Sequence, residues 1–226
     1  GAILNNVVLD ARDIDNNPRG FGIAAAGAGV TIAGNVVAHQ QRGSANIYGI
    51  TIGGGNRPSF NLYVRGNVVY DWSNNGGGSG SAMVVDASIN DARITNNQFV
   101  QPRGGFVFEN LRPQTMVSEQ NVYYSAGSFI WGQWSDSLTA LLNSNTAAQR
   151  VNVSTFLATV GDRGSLVSAV TFADPERSVE TYMASLNREP SYGAFMQEAR
   201  SMARGRYQPE FTASVVNNYF RAGFAR

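Results

Sequence analysis

The chain has 226 residues, of which 43% are hydrophobic and 15% are charged. This composition supplies enough apolar surface for a sizeable core, which excludes an intrinsically disordered chain. The formal net charge is +1 and there is no basic block, so nucleic acid is not predicted as the main partner. No apolar run approaches the roughly 18 residues of a membrane span, so none is predicted.

Missing residue types exclude several kinds of chemistry. The chain has no cysteine and no lysine, so all 17 basic residues are arginine, and His39 is its one histidine. Disulfides, thiolate or His-rich metal sites, lysine Schiff bases and a phosphate-binding P-loop are therefore excluded. Arginine, carboxylate and tyrosine chemistry remain.

Five ten-residue segments of the sequence align without gaps. They are GAILNNVVLD, VTIAGNVVAH, LYVRGNVVYD, ARITNNQFVQ and MVSEQNVYYS. The asparagines that they share are Asn6, Asn35, Asn67, Asn97 and Asn121. A second alternating segment follows each of the first four, in the order FGIAAAG, YGITIGG, SAMVVDA and GFVFENL. Alternation of apolar residues at period two predicts strands, and the Gly-, Asn- and Pro-rich stretches between them predict turns.

Two or more short strands in each repeat predict an all-β solenoid, specifically a right-handed parallel β-helix of about five coils. At the bend between strands the asparagine would adopt a left-handed φ, and its amide would bond to the same amide one coil away. Five asparagines in register would form a structural ladder. The alternative is a β-sandwich in which the asparagine turns coincide by chance.

The repeats stop near residue 135, which predicts β-helix coils over 1–134 and a mainly helical C-terminal capping region over 135–226. Asp174, Pro175 and Glu176 predict the start of a helix that runs to about Leu186. Ser191 and Thr212 are predicted to begin two further helices. The first coil pattern starts at Gly1, so we expect upstream β-helix coils of a longer protein, or a partner protein, at that uncapped end.

The coils, the phrase GNVVYDW at 66–72 and the tail at 174–226 resemble secreted bacterial right-handed β-helix proteins of the pectate-lyase-like superfamily. The tail reads DPERSVETYMASL and then FMQEARSMARGRYQPEFTASVVNNYFRAGF, and it looks like the C-terminal portion of large β-helix proteins. The superfamily includes polysaccharide lyases and hydrolases as well as non-catalytic surface proteins, so the resemblance indicates the fold more than the chemistry.

A first candidate site follows from matching the second segments. If Ile50 and Ile52 point inward, the matching outward row contains Gly53, Asp86 and Glu109 and extends to Trp131. Carboxylates of Asp86 and Glu109 on adjacent coils would hold a calcium ion, or divide into a catalytic acid and base. Trp131 would bind a sugar ring. The alternative is a solvated acidic patch beside a packed aromatic residue.

A second row lies four residues after the asparagines and contains Asp10, His39, Asp71 and Gln101. His39 between Asp10 and Asp71 would serve as a general base, with Asp71 also in contact with substrate. A hydrogen-bonded column at a turn is the alternative.

The resemblance also implies an arginine base, because pectate lyases use arginine in β-elimination with calcium and carboxylates neutralising the uronate. Arg112 is the candidate base and Arg57 a substrate contact, while Arg65 and Arg103 lie near the same rows. The fuller arginine–proline–arginine motif of pectate lyases is not matched.

These observations predict an extracellular β-helix protein that associates with polysaccharide and acts as a lyase on an acidic polysaccharide if it is catalytic. The alternative is a non-catalytic structural, adhesin or assembly-associated module. The expected location is secreted or at the cell surface, with the periplasm as a further option. Calcium is the cofactor that the carboxylate row would use.

Overall fold

Short parallel strands from successive repeats pair edge to edge to form three sheets in the computed structural model. The structure describes residues 1–10, 20–40, 47–53, 59–72, 80–85, 89–110, 116–126, 157–158 and 160–226. The five-stranded sheet contains, in spatial order, β1 (Ala2–Leu4), β4 (Thr31–Ala33), β7 (Leu62–Arg65), β10 (Ala92–Thr95) and β13 (Met116–Glu119).

The other two sheets are built in the same way. The six-stranded sheet contains β2 (Val7–Leu9), β5 (Val36–Ala38), β8 (Val68–Tyr70), β11 (Gln98–Gln101), β14 (Val122–Ser125) and β15 (Leu166–Val167). The four-stranded sheet contains β3 (Gly20–Ala25), β6 (Ile47–Ile52), β9 (Gly80–Val85) and β12 (Phe106–Asn110).

The predicted parallel β architecture is confirmed in its coarse form, as a parallel β-solenoid-like fold. Strands in each sheet pair in parallel with the equivalent strands of neighbouring repeats. Each aligned ten-residue segment contributes two strands, because a turn at its asparagine divides it, and the second segment contributes the third strand. The right-handed twist of the coil path and the coil number stay predictions.

The turn that divides each ten-residue segment differs from its prediction in one respect. The left-handed residue is the one before the ladder asparagine, and the asparagine itself is not left-handed. The left-handed residues are Asn5, Gly34, Gly66, Asn96 and Gln120, with φ between 55° and 63°. Glycine and asparagine tolerate this conformation best, which explains their frequency at this position. The asparagine that follows is thereby free to direct its amide along the stack.

Apolar side chains that alternate along the strands fill the space between the three sheets. Ile32, Val64 and Ile94 from the five-stranded sheet are buried there with Val69 and Phe99 from the six-stranded sheet. The four-stranded sheet contributes a further row, Ile23, Ile50, Met83 and Phe108. A Cβ atom on Gly49 would lie 2.6 Å from Val69 Cγ1, so only glycine permits this close approach of two sheets.

The chain divides into two compact units, Gly1–Val170 and Thr171–Arg226. The predicted boundary at residues 134 and 135 lies outside the described residues. Strand β15 comes from beyond that boundary and pairs with β14, which extends the six-stranded sheet. The part of the chain after residue 134 therefore supplies a strand as well as helices, and the capping role of its helices stays a prediction.

The second unit contains three α-helices, α1 (Val179–Ser185), α2 (Tyr192–Ser201) and α3 (Ala213–Gly223), and a 3-10 turn at Pro209–Phe211. The predicted start of the first helix at Asp174 is wrong. Ser178 is the N-cap, because its side chain and that of Thr181 bond reciprocally to each other's backbone N–H groups. Ser191 and Thr212 precede the other two helices as predicted, and Ser191 accepts a hydrogen bond from the Ala194 N–H.

Candidate functional site

The asparagine corner forms a continuous hydrogen-bonded column in the structure. At each step the backbone N–H and the side-chain Nδ2 of one asparagine donate to Oδ1 of the asparagine in the next repeat. These distances are 2.9 and 3.1 Å from Asn6 to Asn35, and 2.9 Å for both bonds from Asn35 to Asn67. They are 3.0 and 2.9 Å from Asn67 to Asn97, and 2.9 and 3.0 Å from Asn97 to Asn121.

This asparagine ladder also ties neighbouring strands to one another. Asn67 Nδ2 donates to the backbone carbonyl of Ile32 at 3.0 Å, and Asn97 Nδ2 donates to that of Val64 at 2.9 Å. Both asparagines are fully buried, so each amide exchanges hydrogen bonds with water for fixed ones inside the protein. The ladder therefore holds the register of the repeats.

A polar cluster that the sequence analysis did not predict ends the ladder. Asn121 N–H donates to Ser165 Oγ at 2.8 Å, and Ser165 Oγ donates to Asp162 Oδ2 at 2.8 Å. Ser118 Oγ donates to the same carboxylate oxygen at 2.5 Å and lies 2.9 Å from the Tyr123 hydroxyl. Burial raises the pKa of Tyr123 well above its ordinary value near 10. The sequence signal that could have predicted this cluster is Ser165 after Gly164, which matches the glycine–asparagine pairs of earlier repeats.

The predicted Asp10–His39–Asp71–Gln101 row forms a second corner, and its members make different contacts. Asp10, His39 and Asp71 all have left-handed φ, between 49° and 62°. The Asp71 carboxylate forms an ion pair with Arg103, and Gln40 Nε2 donates to Asp10 Oδ1 at 3.4 Å.

Two further members of this corner, His39 and Gln101, contact aromatic residues. The His39 ring lies edge-on to the Tyr70 ring, with centroids 5.6 Å apart. Gln101 is not left-handed; its amide accepts from the Trp72 N–H at 2.8 Å and donates to the Trp72 carbonyl at 3.0 Å. These contacts hold the turn in place, and the role of His39 as a general base stays a prediction.

The predicted alignment of Glu109 with Asp86 is wrong by two residues. Strand pairing places Glu109 opposite Val84, and Val84 opposite Thr51. A shift of two residues keeps every side chain on its face, so the alternation pattern alone did not reveal it.

The outward row that strand pairing defines on this sheet begins at Ala24, which is exposed, and continues through Thr51 and Val84. Thr51 and Val84 lie outside the core cluster, yet they are only 9% and 8% exposed. An open groove for a polymer would need accessible side chains at these positions. The two buried positions limit access to the middle of this row, and a catalytic groove along it stays a prediction.

Several predicted site residues fall outside the described part of the chain. Asp86, Arg112, Arg57 and Trp131 lie outside the described residues, as does the side chain of Glu109. The described residues contain no group of three His, Asp or Glu side chains that could hold a metal ion. The calcium site, the arginine base and the tryptophan platform stay predictions.

Sequence reasoning missed an exposed group of side chains on the outer face of the five-stranded sheet. Tyr63, Arg65 and Arg93 point away from the core on β7 and β10, and Tyr63 is 39% exposed. Arg65, which the sequence analysis placed near the candidate rows, is the last residue of strand β7. The alternation in LYVR and ARIT was the available signal, because it places these three side chains opposite the buried Leu62, Val64 and Ile94.

Comparison with known proteins finds no matching family model, no matching curated protein and no matching solved structure. Among the described residues, no helix is long and apolar enough to cross a membrane.

Proposed function

We propose that this chain is an extracellular polysaccharide-associated module that binds acidic polysaccharide without cleaving it. Its fold in this proposal is a right-handed parallel β-helix of the pectate-lyase-like kind, and its location is secreted or at the cell surface. The parallel sheets and the GNVVYDW phrase support this assignment. The fold alone is compatible with both binding and catalysis, so the choice between them depends on the side chains.

The observation that carries the proposal is the fixed register of the asparagine ladder. Four successive asparagine pairs hold five repeats in constant alignment, so outer side chains form rows at intervals of about 4.8 Å. Rows that repeat along a rigid axis suit a polymer ligand, because successive sugars meet equivalent positions at little ordering cost.

The contacts that the described catalytic candidates make favour binding without cleavage. Asp71 is paired with Arg103, and the His39 ring packs edge-on to Tyr70 at the same turn. A general base must reach the proton that it removes, and neither contact directs these groups toward a shared substrate position. The remaining candidates for lyase activity are Asp86, Arg112 and the side chain of Glu109, which lie outside the described residues.

Two measurements on the same sample test the proposal. Isothermal titration calorimetry with polygalacturonate and with alginate should show binding, while dextran, a neutral polymer, should show none. Absorbance near 235 nm, which reports unsaturated ends formed by β-elimination, should stay flat with and without calcium. Rising absorbance that disappears in Asp86→Asn would replace the binding proposal by a lyase. Absence of binding to every acidic polysaccharide would favour a structural or adhesin role that does not involve sugar.

A further inference from the structure

The outer face of the five-stranded sheet combines two arginines with a tyrosine. Register places Tyr63 on β7 directly beside Arg93 on β10, while Arg65 lies two residues further along β7. Neighbouring strands are about 4.8 Å apart and two residues span about 6.6 Å, so the Cα atoms of Arg65 and Arg93 are roughly 8 Å apart. We call this surface the Arg65–Arg93 face, and it consists of Tyr63, Arg65 and Arg93.

The two guanidinium groups of this face are not directly paired. In the described part of the chain, the guanidinium groups of Arg65 and Arg93 make no hydrogen bond and no ion pair. The nearest carboxylates in sequence and register are Asp91, two residues before Arg93, and Glu119, which lies opposite Thr95 and has its Oε1 4.0 Å from Arg163 Nη1. The two arginines are therefore available to an anionic ligand, and arginine forms paired hydrogen bonds with carboxylates.

The backbone under the face is rigid. Asn67 Nδ2 donates to the Arg65 carbonyl at 3.2 Å, and Asn97 Nδ2 donates to the Thr95 carbonyl at 3.1 Å. Val64 and Ile94, which alternate with the exposed residues, are fully buried in the core. A ligand would thus meet side chains whose anchor points are already ordered, which lowers the entropic cost of binding.

The other two sheets of the first unit carry no exposed charge among the side chains that the structure describes, and their exposed side chains, such as Phe21 and Leu166, are apolar. On the six-stranded sheet, the residues that face away from the core include Val36, Ala38, Tyr70 and Val100, and all four are buried. On the four-stranded sheet, Thr51 and Val84 are buried as well. The five-stranded sheet is therefore the one whose described outward residues combine exposure with charge.

We propose that the Arg65–Arg93 face is the surface on which the chain binds its acidic polysaccharide. The two guanidinium groups pair with carboxylates of the sugar acids, and the Tyr63 ring lies against the apolar face of a sugar ring. This inference rests on the proposed function and gives it a location away from the four-stranded sheet, where the sequence had placed the candidate site.

The test is calorimetric binding of polygalacturonate to the full chain and to matched variants. Arg65→Gln with Arg93→Gln should weaken binding by at least about tenfold, because charged hydrogen bonds to carboxylate are lost. The control is Arg200→Gln with Arg204→Gln, which removes the same charge from exposed positions of the second unit. The control should bind like wild type, and unchanged thermal unfolding of both variants establishes that they are folded.

A second pair of variants separates sugar recognition from charge. Tyr63→Ala should weaken polygalacturonate binding several-fold, about threefold to tenfold, and leave binding of polyglutamate, a carboxylate polymer without sugars, unchanged. Tyr63→Phe should restore sugar binding because it keeps the ring.

The outcomes distinguish the two proposals. If wild type binds and the Arg65/Arg93 double variant binds equally well, the location is wrong while the proposed function stands. Equal losses in the double variant and the Arg200/Arg204 control would also overturn the location, since they indicate general charge attraction. If wild type binds no acidic polysaccharide, the proposed function fails. Equal affinity of wild type for polygalacturonate and for polyglutamate would overturn the proposed contact between Tyr63 and a sugar ring.

Discussion

The two corners that flank the six-stranded sheet differ in how their polar side chains are satisfied. At the asparagine corner all five repeats use the same residue type, and the first four make the same pair of hydrogen bonds to the next repeat. At the second corner Asp71 pairs with Arg103, Asp10 accepts from Gln40, and Gln101 bonds to the Trp72 backbone. An amide carries a donor and an acceptor and so continues indefinitely along a stack, whereas a carboxylate only accepts and needs a local donor in each repeat.

Columns of aligned residues in a repeat sequence therefore differ in whether they predict contacts between repeats. A column of asparagines predicts contact between neighbours because the chemistry is self-complementary. A column that mixes aspartate, histidine and glutamine predicts a shared backbone position, and here Asp10, His39 and Asp71 share a left-handed turn. Alignment in sequence is therefore weaker grounds for a catalytic row than for a structural ladder.

The largest expected effect comes from breaking the ladder at its centre. Asn67→Ala removes the acceptor for the Asn35 N–H and Nδ2 groups and leaves buried donors unsatisfied. We expect the free energy of unfolding to fall by about 2–3 kcal/mol. Urea denaturation followed by circular dichroism measures this change.

The control for this substitution is Asn6→Ala at the exposed end of the ladder, where water replaces the lost bonds. We expect a loss below about 0.5 kcal/mol. Equal losses at the two positions would mean that burial in the ladder contributes nothing.

The pH dependence of stability tests the polar cluster at the other end of the ladder. Burial raises the folded-state pKa of Tyr123 above its ordinary value near 10, so its neutral form is favoured. The contribution of Tyr123 to the free energy of unfolding is complete below pH 10. Above that pH the tyrosine loses its proton more readily in the unfolded chain, so the contribution decreases by at most about 1.4 kcal/mol per pH unit. Wild type should therefore lose more stability than Tyr123→Phe between pH 9 and 11.

Tyr207→Phe is the matched control for this comparison, because Tyr207 is highly exposed. Its pH profile should follow that of wild type. Parallel profiles for wild type and Tyr123→Phe would show that the buried hydroxyl does not cause the loss of stability at high pH.

The smallest expected effect comes from the ion pair at the second corner. The Asp71 side chain is 11% exposed and that of Arg103 is 50% exposed, so solvent screens the pair in part. Arg103→Gln should cost at most about 1 kcal/mol, with a smaller cost at high salt. A cost as large as that of Asn67→Ala, insensitive to salt, would contradict the distinction between the two corners.

The sequence predicted the parallel architecture and the ladder positions because both depend on local, repeated chemistry. Asn35, Asn67 and Asn97 occupy one column, and their neighbours alternate as buried strands require. It did not predict which residue of the turn is left-handed, because glycine and asparagine adjoin in the motif and both tolerate that conformation.

The candidate site was less predictable because it depended on pairing across variable loops. Glu109 aligns with Val84 instead of Asp86. Alternation at period two does not detect this shift, because moving a strand by two residues leaves every side chain on the same face. Similarly, the sequence predicted a helix start at Asp174, whereas the reciprocal bonds of Ser178 and Thr181 place the N-cap at Ser178. Such choices depend on tertiary geometry that no single segment encodes.

The central structural claim is that the asparagines act as one connected column. A double-mutant cycle with Asn35→Ala and Asn67→Ala, read from urea denaturation, measures it most directly. Because the two side chains share a buried hydrogen bond of 2.9 Å, we predict a coupling energy of about 1 kcal/mol or more. Strictly additive losses, with coupling within about 0.3 kcal/mol of zero, would contradict a connected ladder and leave five independent turns.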